Sequence, residues 1–211
     1  MKLLRRLLRP VKVRVLRIVE FRRGIMLGRA VPRHREGSGE APYRVSRIES
    51  LPADFPLEEA KVLQRWSEGH SLYGIIIGDA LITYSWVSDA GAAVGVLHSM
   101  VLKVPERSIY IWDCFTRPEL RGRGLFQELL RGIVERHPGI DIAYSAVDVN
   151  NAPSIRAMTK AGFRPLFRYY GVKLFNRPVL AVARTSRGIG PAQRSFDQIT
   201  AEARRSGTII P

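Results

Sequence analysis

Leu120 to Leu130, LRGRGLFQELL, sets Arg121 and Arg123 beside Gly122 and Gly124 directly ahead of an apolar run at helical spacing. Backbone N–H groups at a helix start lack intrahelical acceptors and together carry about half a positive charge. The glycines remove side chains that would hold a ligand off that backbone, and the arginines add charge beside it. A phosphate or diphosphate is the natural occupant. A surface corner with solvated arginines uses the same residue types, so the loop alone favours neither reading. A P-loop needs lysine and then serine or threonine after its last glycine, where Leu125 and Phe126 stand. A dinucleotide-binding GxGxxG needs glycine at Gln127, and its glycines leave the strand directly, whereas RPELR intervenes here.

Asp113 is the single carboxylate within SIYIWDCFT, which makes it the candidate general base, with an ion pair to one of the many arginines as the alternative. Cys114 has the chemistry of an acyl-carrying nucleophile, but a small core residue is the favoured reading. As the chain's single cysteine it leaves no internal disulfide and fits a reducing compartment. His34, His70, His98 and His137 have no metal-ligand spacing, so no metal is expected.

Strands and helices have to hold these groups in place. YRVSRI from Tyr43 reads as a strand and Asp54 to Gly69 as a helix. SLYGIIIGDALITYSWV reads as a hairpin turning at Gly78-Asp79, and Ser88 to Gly95 as a small-residue loop before a strand over Val96 to Leu102. SIYIWDCFT is apolar on both faces and therefore central. A helix from Leu125 to Arg136, a buried strand in IDIAYSAV and a helix from Asn151 to Lys160 follow, then late strands in FRPLFRYYGVKLF and VLAVART. The polar, glycine-bearing tail from Ser186 is expected to be loose.

TRPELRGRG, a helix, a strand and then NAPSIRAMTKAGF together resemble the GNAT superfamily of N-acyltransferases. Arg121, Gly122, Arg123, Gly124 and Leu125 match its first signature except at the last position, where Phe126 replaces glycine or alanine. Asn151, Ser154, Lys160, Gly162 and Phe163 fall on the second signature. The resemblance covers about Tyr43 to Arg184. It implies an α/β (α+β) fold, a central mixed sheet with splayed parallel strands flanked by helices. It also implies acetyl-CoA as acyl donor, with no metal, in the gap between Ile109–Thr116 and Ile140–Val147. The diphosphate would take the backbone from Gly122 to Phe126, the pantetheine arm the backbone near Phe115 and Thr116, and Asn151 and Ser154 the far end. One of the loop amides would stabilise the oxyanion as an amine attacks.

Met158 stands where many members carry a tyrosine that protonates the leaving thiolate, and methionine has no proton to give. Tyr169 is the candidate replacement, with Tyr170 beside it. Expelling a thiolate at neutral pH costs only about 2 kcal/mol relative to the thiol, so turnover without a donor is slow rather than absent.

The formal net charge is +15, and residues 1–36 account for +10 of it, twelve cations against Glu20 and Glu36. KLLRRLLR places leucines on one helical face and cations on the other. Such a segment suits a helix packed on protein, an anionic membrane surface, or an acidic acyl-carrier protein, while nucleic acid ranks last for want of an aromatic platform. The expected organisation is a basic amphipathic segment and linker over 1–42, an acetyltransferase domain over 43–185 and a flexible tail over 186–211. No stretch is long and apolar enough to span a bilayer, so a cytoplasmic protein, peripheral at the inner membrane face at most, is expected. The expected function is acetyl transfer to a primary amine of a small molecule, an amino sugar of a surface polysaccharide by the weaker subgroup likeness. The rivals are a long-chain N-acyltransferase fed by acyl-carrier protein and a non-enzymatic acyl-CoA- or nucleic-acid-binding module. Oligomeric state stays open.

Overall fold

The computed structural model of the protein describes residues 19–31, 43–52, 55–96, 100–175, 177–186 and 188–206. The leucine–arginine segment and the linker through Pro42 lie outside the described residues.

The elements are β1 (Val19–Ala30), β2 (Val45–Arg47), α1 (Glu59–Ser67), β3 (Ser71–Ile77), β4 (Ala80–Ser88), β5 (Ala93–Val96), β6 (Met100–Lys103) and β7 (Ser108–Thr116). After a 3-10 turn come α2 (Leu125–Glu135), β8 (Ile142–Asp148), α3 (Ala152–Lys160), β9 (Arg164–Leu174), β10 (Arg177–Thr185), β11 (Gly188–Pro191) and α4 (Ala192–Ser206). Nine strands form one sheet in the order β11-β10-β9-β1-β8-β7-β4-β3-β2, and β5 and β6 form a separate hairpin. The α/β class with a mixed sheet flanked by helices is therefore the observed one.

Two boundaries expected from the sequence need correction. β1 belongs to the sheet, paired antiparallel with β8 on one side and β9 on the other, so residues 19–30 are part of the domain and not of a segment ahead of it. Met26 and Leu27, on opposite faces of this interior strand, are both fully buried. Gly28 lets the strand fit: a Cβ there would sit 2.6 Å from Leu166 Cδ1 and 3.2 Å from Ile142 Cδ1. The second correction concerns the tail. Residues 188–206 make β11 and α4, whose Ala192, Phe196, Ile199 and Ala203 recur on one helical face and are buried. Phe196 packs 4.2 Å from Tyr144, centroid to centroid, and the Tyr144 hydroxyl hydrogen-bonds the Thr200 hydroxyl.

The Gly78-Asp79 hairpin, the central position of SIYIWDCFT and the helices around 125–135 and 152–160 match the sequence reading. The loop read from Ser88 to Gly95 instead contains the start of β5. The core falls into an α4-side layer, a layer beneath α2 and α3 on the opposite face, and a third cluster under α1 around Val62, Leu72 and Trp86.

Candidate active site

β7 and β8 pair in parallel, but only from Ser108–Tyr110 against Ile142–Tyr144. Beyond that point the strands separate while each continues, β7 to Thr116 and β8 to Asp148. The gap opens into a cleft of about 1020 Å³, walled by the ends of both strands, the loop after β7, and α3.

At the mouth, α2 begins from Gly124, a left-handed N-cap with φ of 79°, and no side chain caps it. Gly122 is also left-handed, with φ of 80°, a conformation that glycine adopts without steric cost. Among the described residues, no acceptor meets the amides from Gly122 to Gln127. A Cβ on Gly122 or Gly124 would meet nothing within 4 Å, so the space above these amides is open. Unpartnered donors, open space and a helix N-terminus fit a diphosphate. Phe126 is half-buried, packs against the layer beneath α2 and α3, and also lines the cleft.

The remaining residues singled out from the sequence divide. Phe115, Thr116, Arg121, Leu125, Asn151 and Ser154 line the cleft, as do Asp113 and Cys114. Arg123 is exposed and is not among the lining residues. Arg121 Nε turns back to donate to the Thr116 carbonyl at 3.1 Å. Asn151 has a local duty as N-cap of α3, its Oδ1 accepting from Ser154 N at 3.2 Å. Burial pushes the Cys114 thiol up to about 12, which disfavours the thiolate that an acyl-carrying nucleophile needs.

Tyr169 is corrected. It is fully buried in the α4-side layer, outside the cleft wall, and burial pushes its phenol far above the ordinary value. Tyr170 points to the opposite face of β9 and does not line the cleft either. Met158 does line it, 3% exposed, and supplies no proton there.

Asp113 sits at a distortion in β7. Its φ is 45°, a left-handed value rare for a residue with a side chain, and the β4–β7 register slips between Tyr84 and Trp86. Arg65 Nη1 donates to Asp113 Oδ2 at 2.6 Å. The guanidinium carbon of Arg65 lies 4.5 Å from the ring centroid of Trp112 and 4.9 Å from that of Trp86. Trp112 Nε1 donates to Ser88 Oγ at 2.8 Å, and Ser88 Oγ bonds His70 Nδ1 at 2.9 Å. The ion-pair reading of Asp113 is thus the observed one, and its exposure to the cleft persists beside it. Sequence reasoning missed Arg65, Trp112 and the cleft-lining Arg156. Arg156 lay within the second signature, whereas nothing in α1 signalled a partner 48 residues away.

The chain belongs to the acetyltransferase (GNAT) family, whose sequence model matches residues 44–163. This is a fold that supports acyl transfer. No curated protein matches the chain. Among solved structures, a GNAT-family protein from Novosphingobium aromaticivorans is 17% identical with a TM-score of 0.48, over 74% of this chain and 64% of that one. A tandem GNAT protein from the clavulanic acid biosynthesis pathway is 16% identical, TM-score 0.47, over 74% and 54%. A GCN5-related N-acetyltransferase from Sphaerobacter thermophilus is 17% identical, TM-score 0.43, over 80% and 57%. The chain spans less than two thirds of the length of each. Similarity of this degree bears on neither the site nor its substrate. Among the described residues, no cluster of His, Cys, Asp and Glu has the geometry to hold a metal, and no helix is long and apolar enough to cross a membrane.

Proposed function

We propose that the protein is an N-acetyltransferase that moves an acetyl group from acetyl-CoA to a primary amine of a small molecule. One observation carries this reading: unpartnered amides from Gly122 to Gln127 stand under open space at the mouth of a cleft between parted parallel strands. The amides hold the diphosphate of the donor. The edge of β7 from Ile111 to Thr116 faces the gap without a β8 ladder and offers backbone groups to an extended arm, as an added strand would. Acetyl-CoA supplies the thioester whose acyl carbon the amine attacks.

Asp113 faces the cleft from its inner wall. Arg65 takes Oδ2, and Oδ1 meets no partner among the described residues, so it is left to orient the amine or a water that receives its proton. Arg65 and the two tryptophans hold that carboxylate in position. With Met158 in place of a donor, the thiolate takes its proton from solvent or from the proton the amine releases. Turnover is correspondingly slow.

Calorimetry with acetyl-CoA, longer acyl-CoAs and free CoA, followed by a free-thiol assay over a panel of amines that includes amino sugars, tests the proposal. Acetyl-CoA binding with amine-dependent thiol release is expected. Binding without thiol release for any amine reduces the protein to an acyl-CoA-binding module, and no binding removes the reading altogether.

A further inference from the structure

β1, β9, β10 and β11 make the outer part of the sheet, and its two faces differ sharply. On one, Tyr169 and Ala183 are fully buried in the layer that α4 completes with Phe196. On the other, cross-strand register sets Phe21 opposite Val172 and Val172 opposite Leu180. The neighbouring rows set Arg23 opposite Tyr170, and Arg168 opposite Arg184 with Ile189 beyond. Leu174 opposes Arg177 at the far end. Phe21 is 73% exposed, Leu180 50% and Ile189 73%, and Arg23, Arg168, Arg177 and Arg184 are exposed among them. Among the described residues on this face there is no carboxylate.

A soluble protein rarely leaves a contiguous apolar surface open without a use for it. The charge selects the occupant. A second copy would bring arginine against arginine with no acid to receive it, and residues 1–18, with Lys2, Arg5, Arg6 and Arg9 among them, carry the same sign. A nucleic acid would satisfy the arginines and find rings at Phe21 and the half-buried Tyr170, but it would leave Leu174, Leu180 and Ile189 without a partner. Only a surface that is apolar beneath and anionic above satisfies both sets of side chains.

We propose that this open face of β1, β9, β10 and β11 docks on an anionic phospholipid bilayer, its arginines on lipid phosphates and Phe21 and Leu180 in the interface. The face also adjoins the cleft: Arg168 opposes Ile25, and Ile25 opposes the cleft-lining Val147. Docking therefore brings the acyl-transfer site close to the membrane surface.

Co-sedimentation of the full chain with vesicles of phosphatidylcholine, alone or mixed with phosphatidylglycerol, tests this. Binding to the mixed vesicles only, weakening with salt, is expected. Arg168→Glu combined with Arg184→Glu should weaken it by about tenfold or more while leaving the thermal midpoint and acetyl-CoA binding unchanged. Phe21→Trp should give an emission that shifts to the blue when mixed vesicles are added. Equal binding by the charge-reversed chain, equal binding to phosphatidylcholine alone, no blue shift, or tighter retention by a duplex oligonucleotide than by the vesicles each overturns the proposal.

Discussion

Arg65 Nη1 lies 2.6 Å from Asp113 Oδ2, joining the last turn of α1 to the distorted middle of β7. The guanidinium is enclosed by Trp86 and Trp112, so it is fixed by packing as well as by charge. A left-handed residue in a strand is costly, by about 1–3 kcal/mol, and persists where surrounding contacts over-determine it. Here those contacts aim a carboxylate into the cleft.

Asp113→Asn keeps the shape and a hydrogen-bond acceptor but loses the charge. kcat should fall by about a hundredfold or more, with the dissociation constant of acetyl-CoA changed by less than about twofold. Wild-type kcat in this variant, from a coupled thiol assay, would make Asp113 a partner of Arg65 and nothing else. Arg65→Ala should lower both kcat and stability, the latter by about 2 kcal/mol, since it removes a charged hydrogen bond and the packing of the stem.

Phe196 is fully buried against Tyr144. Truncation to alanine leaves a cavity and should cost about 3–5 kcal/mol, read as a lower denaturant midpoint at an unchanged slope. A loss under about 1 kcal/mol would mean that α4 is only loosely attached.

What the sequence revealed follows from which interactions are local. The loop from Arg121 to Phe126, the cap at Asn151 and the hairpin at Gly78-Asp79 depend on a few consecutive residues, and all three were readable. β1 was not, because VEFRRGIMLGRA interrupts its apolar run with arginines and its two neighbours lie more than a hundred residues away in the chain. α4 could have been found. Ala192, Phe196, Ile199 and Ala203 follow helical spacing, but the polar residues between them dominate the composition. The Arg65–Asp113 pair is a purely tertiary relation, and only the spacing of charges on folded elements reveals it.

His70 is buried, accepts or donates at Nδ1 with Ser88, and meets the edge of Trp112. Burial holds its pKa below the ordinary 6.5, with Glu68 opposing this and Arg65 adding to it. The unfolded chain therefore binds the proton more readily. Stability from this group is complete above the unfolded value and is lost as pH falls from there toward the folded value. Denaturant midpoints between about pH 7 and pH 5 should fall more steeply in the wild-type chain than in His70→Gln. Parallel profiles would assign the acid loss to carboxylates alone.

Gly124 is the position where binding and folding make opposite demands. A Cβ there would point into open space, so alanine meets no clash, and the only folding cost is the left-handed φ of 79°, about 1 kcal/mol. The same Cβ, however, enters the volume above the amides of α2, where the diphosphate is proposed to lie. Gly124→Ala should therefore unfold only slightly earlier than the wild-type chain yet lose acetyl-CoA affinity by about tenfold or more, a loss of about 1.4 kcal/mol or greater. Calorimetry alongside a thermal melt separates the two effects. Unchanged affinity in a folded Gly124→Ala chain would place the diphosphate elsewhere, because no ligand held by these amides could ignore a methyl group set between them.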